Sequence, residues 1–226
     1  MESTLHRQLK ALYSPDAARC EVRRDGFRAD ALAADGSWIE VQTGALGALR
    51  EKLRYLLPAR RVRVVKPVIL ERRIIRRAHP EGADLSARRS PRRGTLAEVF
   101  DDLVGLARLF PHANLRIDVL GVAIDELRVA RRRRPGHTVI DRSLREVRMT
   151  KRLATAADLW RLLPPGAGRS GPFTTRELAA WLDRELPFAQ RVAYCLRLAG
   201  AARVCGKRGN FLVYERATDR APAVTR

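Results

Sequence analysis

Asp30 and Glu40 are the residues of this chain best placed to do chemistry. They lie in residues 20–43, which read as three short strands joined by two Asp-Gly turns. Asp25-Gly26 suits a primed two-residue turn, pairing Arg24 with Phe27, Val22 with Ala29 and Glu21 with Asp30. Ala34-Asp35-Gly36 suits a three-residue loop with Gly36 left-handed, pairing Ala33 with Ser37, Ala31 with Ile39 and Asp30 with Glu40. Opposed residues share a face, with Cβ atoms roughly 5 Å apart. One face is then expected to carry Glu21, Arg28, Asp30, Glu40 and Gln42, and the other Val22, Ala29, Ala31, Ile39 and Val41. Opposed like charges destabilise a sheet unless something neutralises them. A divalent cation would do so, and a cation held by two carboxylates can activate water for attack on a phosphodiester. The plainer alternative is a surface hairpin with ordinary acids. A two-residue second loop would put Asp30 and Glu40 on opposite faces and remove the pair.

The neighbouring elements must position that pair. Leu5, Leu9 and Leu12 fall at helical spacing before it, and Leu46, Leu49, Leu53, Leu56 and Leu57 form a second helical stripe after it. Residues 61–69, rich in β-branched side chains, read as a further strand. The order is helix, three strands, helix, strand. On these residues, positions 1–70 resemble the PD-(D/E)xK, or restriction-endonuclease-like, nuclease superfamily. The resemblance implies a mixed sheet with flanking helices, with Asp30 and Glu40-Val41-Gln42 standing on the superfamily's motif. It further implies Mg²⁺ (or Mn²⁺) as cofactor, held by Asp30 and Glu40. Gln42 departs from the motif, which has lysine there, so a positive transition-state stabiliser is missing from its usual place. Lys52 on the following helix is the candidate to supply the ammonium; the alternative is a solvated lysine on the outer helix face. For a third carboxylate, the superfamily's first helix points to Glu2 and the strand register points to Glu21. His6 either faces the site or sits on the surface.

The formal charge is +20 over 226 residues, with 40 arginines and 5 lysines. Residues 95–127 carry 2 basic and 6 acidic side chains, whereas residues 128–154 carry 10 and 2. Such a field attracts polyanions. Nucleic acid, DNA in the first instance, is the expected partner. No long apolar run or basic amphipathic anchor indicates a membrane. Residues 2–10 are polar and helical rather than a secretory signal, and three cysteines without paired spacing suit a reduced, cytoplasmic protein. A homodimer is an open assembly state.

Residues 71–94 read as a long twisted hairpin or a basic linker, the hairpin preferred. Thr95-Leu96-Ala97-Glu98 has the form of a capping box opening a helix with Leu96, Val99, Phe100, Leu103, Leu106, Ala107 and Phe110 on one stripe. Residues 115–129 and 138–149 read as extended arms around a tip containing Arg131, Arg132, Arg133 and Arg134, which either grips phosphates or is a solvated loop. At the C-terminus, a helix over residues 155–163, a capping box at Thr174-Thr175-Arg176-Glu177, a helix from Pro187 to Gly200 and two β pieces are similar to a winged helix. That likeness implies a recognition helix exposing Gln190, Arg191, Tyr194 and Arg197, and a wing tipped by Lys207 and Arg208.

The expected fold is α+β with an α/β core: a nuclease-like part over residues 1–78, a connecting helix and basic hairpin over 79–153, and a winged helix over 154–226. The expected function is a metal-dependent nucleic-acid phosphodiester hydrolase. The alternatives are a non-catalytic DNA-binding or regulatory protein with a degenerate nuclease fold, and an RNA-binding or processing protein. No glycine-rich phosphate loop or nucleophile elbow supports an ordinary metabolic enzyme.

Overall fold

A computed structural model describes residues 2–217 apart from residues 15, 25 and 132–134, with the side chains of Ala17 and Arg24 also outside the description. Asp25 of the first turn and three of the four tip arginines, Arg132, Arg133 and Arg134, therefore lie outside the described residues. The chain opens with α1 (Thr4–Tyr13), whose N-terminus is capped by Ser3 Oγ accepting from the His6 N–H at 3.3 Å. Leu5 and Leu9 point inward, but Leu12 is exposed, against the expected stripe. Tyr13 turns toward the sheet instead, its hydroxyl donating to buried Asp118 at 2.8 Å.

Strands β1 (Arg23–Arg24) and β2 (Phe27–Arg28) form a small ribbon, followed by β3 (Ala31–Leu32) and β4 (Trp38–Val41). A 3-10 turn at Leu46–Leu49 leads into α2 (Arg50–Leu56). Two long strands, β5 (Val62–Arg77) and β7 (Leu115–Ala130), flank a segment holding β6 (Asp84–Arg89) and the short α3 (Phe100–Leu103). Strand β8 (His137–Leu153) completes a six-stranded mixed sheet of order β3-β4-β5-β7-β8, with β6 pairing β5. The β4–β5 and β5–β7 pairs are parallel, and the other pairs in this sheet are antiparallel.

Parallel neighbours need crossover connections. Residues 46–56 and 96–106 supply them and cover one face, their leucines and Phe100 joining Trp38, Val64 and Ile117 in the larger core. Helix α1 covers the other face, where Leu5 and Leu9 meet Ala31, Ile39, Val41, Val65, Leu120, Val122 and Ile124. The sheet is thus sandwiched between helices, a mixed α/β architecture.

The residue 71–94 region forms the hairpin, β5 turning into β6 with Arg73 opposite Arg89. Strands β5 and β7 stay paired as far as Arg77 and Val129, so one sheet runs across the border expected at residue 78. The Thr95 capping box is corrected: its side chain makes no cap hydrogen bond, and residues 96–106 form a single α turn between two 3-10 turns. Glu98 points instead at Arg184, 2.8 Å away. The apolar stripe is nevertheless buried from Leu96 to Phe110 as expected.

After a 3-10 turn at Ala156–Leu162, strand β9 (Phe173–Thr174), helices α4 (Thr175–Leu182) and α5 (Leu186–Leu198) and strands β10 (Ala202–Arg208) and β11 (Phe211–Arg216) form a second unit. Its sheet has the order β10-β11-β9. Both capping boxes here are present, Thr155 with Asp158 and Thr174 with Glu177. Phe173 is the hub of an aromatic cluster, with Trp181 at 5.2 Å, Trp160 at 5.9 Å and Tyr214 at 6.0 Å between ring centres. Helix α5 also packs on α3, the Cys195 thiol reaching the Phe100 carbonyl oxygen at 3.8 Å. Among the described residues, no helix is long and apolar enough to cross a membrane.

Candidate functional site

The β3–β4 loop sets the register on which the site depends. Asp35 Oδ1 accepts from the Ser37 N–H at 3.0 Å and the Ser37 hydroxyl at 2.6 Å, pinning a three-residue loop. Gly36 takes a φ of 75°, a left-handed conformation that costs glycine little. Ala31 consequently faces Ile39 and Leu32 faces Trp38, which brings Asp30 beside Glu40. The first turn has the expected register too, with Arg24 opposite Phe27 and Ala29 N–H donating to Val22 O at 2.9 Å. The facing of Ala29 is corrected: it is buried with Trp38 in the larger core, not with Ala31 and Ile39. The chain bends at residues 29–30, between β2 and β3, and this breaks the strict alternation of sides.

The two carboxylates are held by different neighbours. Asp30 Oδ2 accepts from the Val41 N–H at 2.7 Å, and Oδ1 lies 3.5 Å from His6 Nε2 on α1. Burial alone would raise the Asp30 pKa; His6, the Val41 N–H and Lys52 outweigh it and hold the group below its ordinary value. Glu40 is nearly fully buried, its side chain 5% exposed. Burial, aided by the negative charge of Asp30, pushes its pKa up to about 7 against the opposing pull of Lys52. At neutral pH the pair is therefore split, with Asp30 ionised and Glu40 sharing its site with a proton part of the time.

Lys52 belongs to this site and not to the outer face of α2. Its ammonium lies 2.6 Å from Glu40 Oε1, donates to the Arg28 carbonyl and sits 5.9 Å above the Trp38 ring. The contact with Glu40 is an ion pair off the hydrogen-bond direction, so Oε1 stays buried without an aligned donor. Gln42 is turned away: its backbone N–H continues the ladder to Val65 O, while Nε2 donates to Ala45 O at 3.0 Å.

Neither third carboxylate joins the pair directly. Glu2 lies 3.3 Å from His6 Nε2 and 3.0 Å from Lys10 Nζ. Glu21 lies 2.9 Å from the same Lys10 nitrogen and pairs with Arg28, and these two cations hold its pKa below the usual range. Lys10 thus neutralises both acids, and they in turn raise its pKa despite its burial. Among the described residues, no group of three or more His, Cys, Asp or Glu side chains is gathered to hold a metal. A two-carboxylate arrangement still fits Mg²⁺, which commonly keeps several waters and takes only one or two protein carboxylates. The oxygens of Asp30 and Glu40 are the donor set such an ion would take, with Lys52 giving up its 2.6 Å contact to Glu40 Oε1.

Lys10, beside the site, and Lys66, near it on β5, escape a reading by strand register. Glu2, His6 and Lys10 recur every four residues and make one polar face of α1, a signal present in the sequence. Lys66 lies on β5 just past Gln42, nearly fully buried, 2.6 Å from Gly44 O and 2.8 Å from Asp102. Its isolated position in an apolar run was the available signal.

Residues 3–154 match the model of a family described as a domain of unknown function (DUF8091). The chain belongs to the DUF8091 family. The matched region contains Asp30, Glu40, Lys52 and the whole six-stranded sheet. An uncharacterized protein of Treponema pallidum (strain Nichols) is 33% identical over 162 residues, which is 70% of this chain and 64% of the relative. The chain therefore spans less than two thirds of that relative's length. No solved structure matches significantly.

The expected nucleic-acid contacts fall mostly beyond the DUF8091 region. On α5, Gln190, Arg191 and Arg197 are exposed and Tyr194 is half-buried. Arg191 is committed elsewhere, however, with Nε 2.5 Å from Asp101 on α3. Lys207 and Arg208 end β10 and are exposed, Arg208 pairing with Glu177 at 3.0 Å. Arg131 is exposed at the end of β7.

Proposed function

We propose that this DUF8091 member is a metal-dependent nucleic-acid phosphodiester hydrolase, with Asp30 and Glu40 holding Mg²⁺ or Mn²⁺. The observation that carries the reading is the pairing of these two carboxylates at the strand end with the Lys52 ammonium 2.6 Å from Glu40. The order of elements supports it: α1, the strand segments β1 to β4, α2, then β5 parallel to β4 resemble the core arrangement of the PD-(D/E)xK superfamily. When bound, the metal supplies Lewis acidity toward a phosphate oxygen and makes water a better nucleophile near neutral pH. Asp30, fixed by the Val41 N–H, offers a preorganised charge. Lys52 takes over the role that Gln42 cannot perform, placing positive charge where phosphate charge develops.

The unit over residues 156–216 orders its elements as helix, strand, two helices and two strands, similar to a winged helix. We read it as the targeting module for DNA, with Gln190 and Arg197 exposed on α5 and Lys207 and Arg208 on the wing. One observation favours a second reading, a non-catalytic DNA-binding or regulatory protein: Gln42 occupies the lysine position and its amide is spent on Ala45 O.

A cleavage assay over duplex DNA, single strands, branched junctions and RNA, with Mg²⁺, Mn²⁺ or chelator, separates these readings. Metal-dependent cleavage that is lost in Asp30→Asn and Glu40→Gln, and reduced about 10- to 1000-fold in Lys52→Met, is the expected result. Binding without cleavage of any substrate decides for the regulatory protein, and cleavage confined to RNA for a processing enzyme.

A further inference from the structure

Strand β5 has a gap on one edge. Strand β4 pairs it through Val65 and β6 pairs it from Arg73, so residues 66–72 have no strand partner on that side. The gap opens into a cavity of about 510 Å³, with Lys66, Arg72 and Arg92 on one side and Arg184 and Arg191 from the C-terminal unit on the other. Most acids at this cavity are already neutralised: Asp102 by Lys66 at 2.8 Å, Glu98 by Arg184 at 2.8 Å and Asp101 by Arg191 at 2.5 Å.

Arg72 and Arg92 are different. Arg72 has only a distant contact, 3.4 Å, with Glu126, whose oxygens already accept from Arg128 at 2.7 Å and Arg142 at 2.9 Å. Three guanidiniums thus share one buried carboxylate, and Arg72 Nε is buried without a hydrogen-bond partner. Arg92 stands 3.9 Å from Glu98, which Arg184 has taken at 2.8 Å. Burial, and the charges of Arg142, Arg128 and Arg92, hold the Arg72 pKa down despite Glu126, so these guanidiniums lie within electrostatic reach of one another. With Glu185 on the rim, five cations meet four carboxylates in the lining of the cavity, and the acid nearest Arg72, Glu126, lies outside that lining and is shared with Arg128 and Arg142. Guanidiniums left short of anions in a concave site are the usual means of binding a phosphate.

We propose that this cavity is a phosphate-binding site in which Arg72 and Arg92 grip the anion. It needs neither a metal nor cleavage at Asp30 and Glu40, so it stands or falls apart from the hydrolase reading. The phosphate is either free or carried by a nucleic-acid strand.

The test is thermal melting and titration calorimetry of the full chain with inorganic phosphate, against sodium chloride at equal ionic strength. Phosphate is expected to raise Tm more than chloride, and Arg72→Gln and Arg92→Gln to weaken phosphate binding at least tenfold. Arg108→Gln, an exposed change outside the cavity, should bind as the natural protein does. Should Arg72→Gln fold poorly, Arg92→Gln decides, since that side chain is 77% exposed and dispensable for packing. A short oligonucleotide with and without a 5′-phosphate identifies the source. Loss in Arg92→Gln for the phosphorylated strand alone marks a terminal phosphate, loss for both marks the backbone, and loss for inorganic phosphate alone marks a free anion. Phosphate acting no more strongly than chloride, or binding unchanged in both cavity variants, would overturn the proposal.

Discussion

Glu40 is buried where an ionised carboxylate is unstable, and the consequence is measurable without any metal. Its pKa in the fold is about 7, against an ordinary 4.5. Below pH 4.5 the group is protonated in both folded and unfolded chains and costs nothing. From there to about pH 7 the folded state holds the proton more tightly, so stability falls as pH rises; above that the full cost, about 3 kcal/mol, is present. Glu40→Gln should flatten this fall, most clearly in the difference between melting temperatures at pH 5 and pH 8. The gain at pH 8 should be smaller than the full cost, because Lys52 loses its carboxylate partner. A wild-type protein whose stability is level over that range would show that Glu40 is not strained. The carboxylate pair was legible in the sequence because strand side chains alternate with period two and the loop length was readable from Ala34-Asp35-Gly36. Lys52 was not, because its place depends on how α2 turns over the sheet, which local spacing does not encode.

At the scale of elements, the two crossovers on the larger-core side hold the site from behind, and they touch where neither has a side chain. A Cβ added to Gly105 would lie 2.6 Å from Gly47 Cα, a backbone atom that cannot swing aside. Gly105→Ala should therefore push residues 46–49 and 104–106 apart and destabilise the fold by about 1–3 kcal/mol in urea unfolding. Gly26→Ala, with open space but a φ of 78°, is a comparison in which only backbone strain acts. Equal stability of Gly105→Ala and the natural protein would mean that the crossovers do not meet so closely. The strands and the leucine stripe of α2 could be read from periodicity. The broken helix over residues 96–106 could not, since Thr95 caps nothing and packing of α3 against α5 replaces local capping. Arg191 illustrates the same limit: exposure on α5 was foreseeable, but its pairing with Asp101 joins residues distant in sequence.

For the whole molecule, the charge of +20 is spread over both units, while Glu98, Asp101 and Asp102 of the acidic stretch are paired with cations of the fold. Nucleic-acid affinity should fall steeply with salt, because several basic segments displace counterions independently. Replacing Lys207 and Arg208 by serine should reduce the salt slope and weaken all sequences alike, as read by fluorescence anisotropy across salt concentrations. Replacing Gln190 and Arg197 should instead narrow the difference between preferred and other substrates. Identical losses in the two variants would mean that the C-terminal unit supplies electrostatic affinity alone. Calorimetric titration of the full chain with Mn²⁺ at pH 7.5 reports whether Asp30 and Glu40 form a divalent-cation site. A saturable site is expected in the natural protein, lost in both Asp30→Asn and Glu40→Gln; no Mn²⁺ binding, or binding that survives both substitutions, would rule the site out.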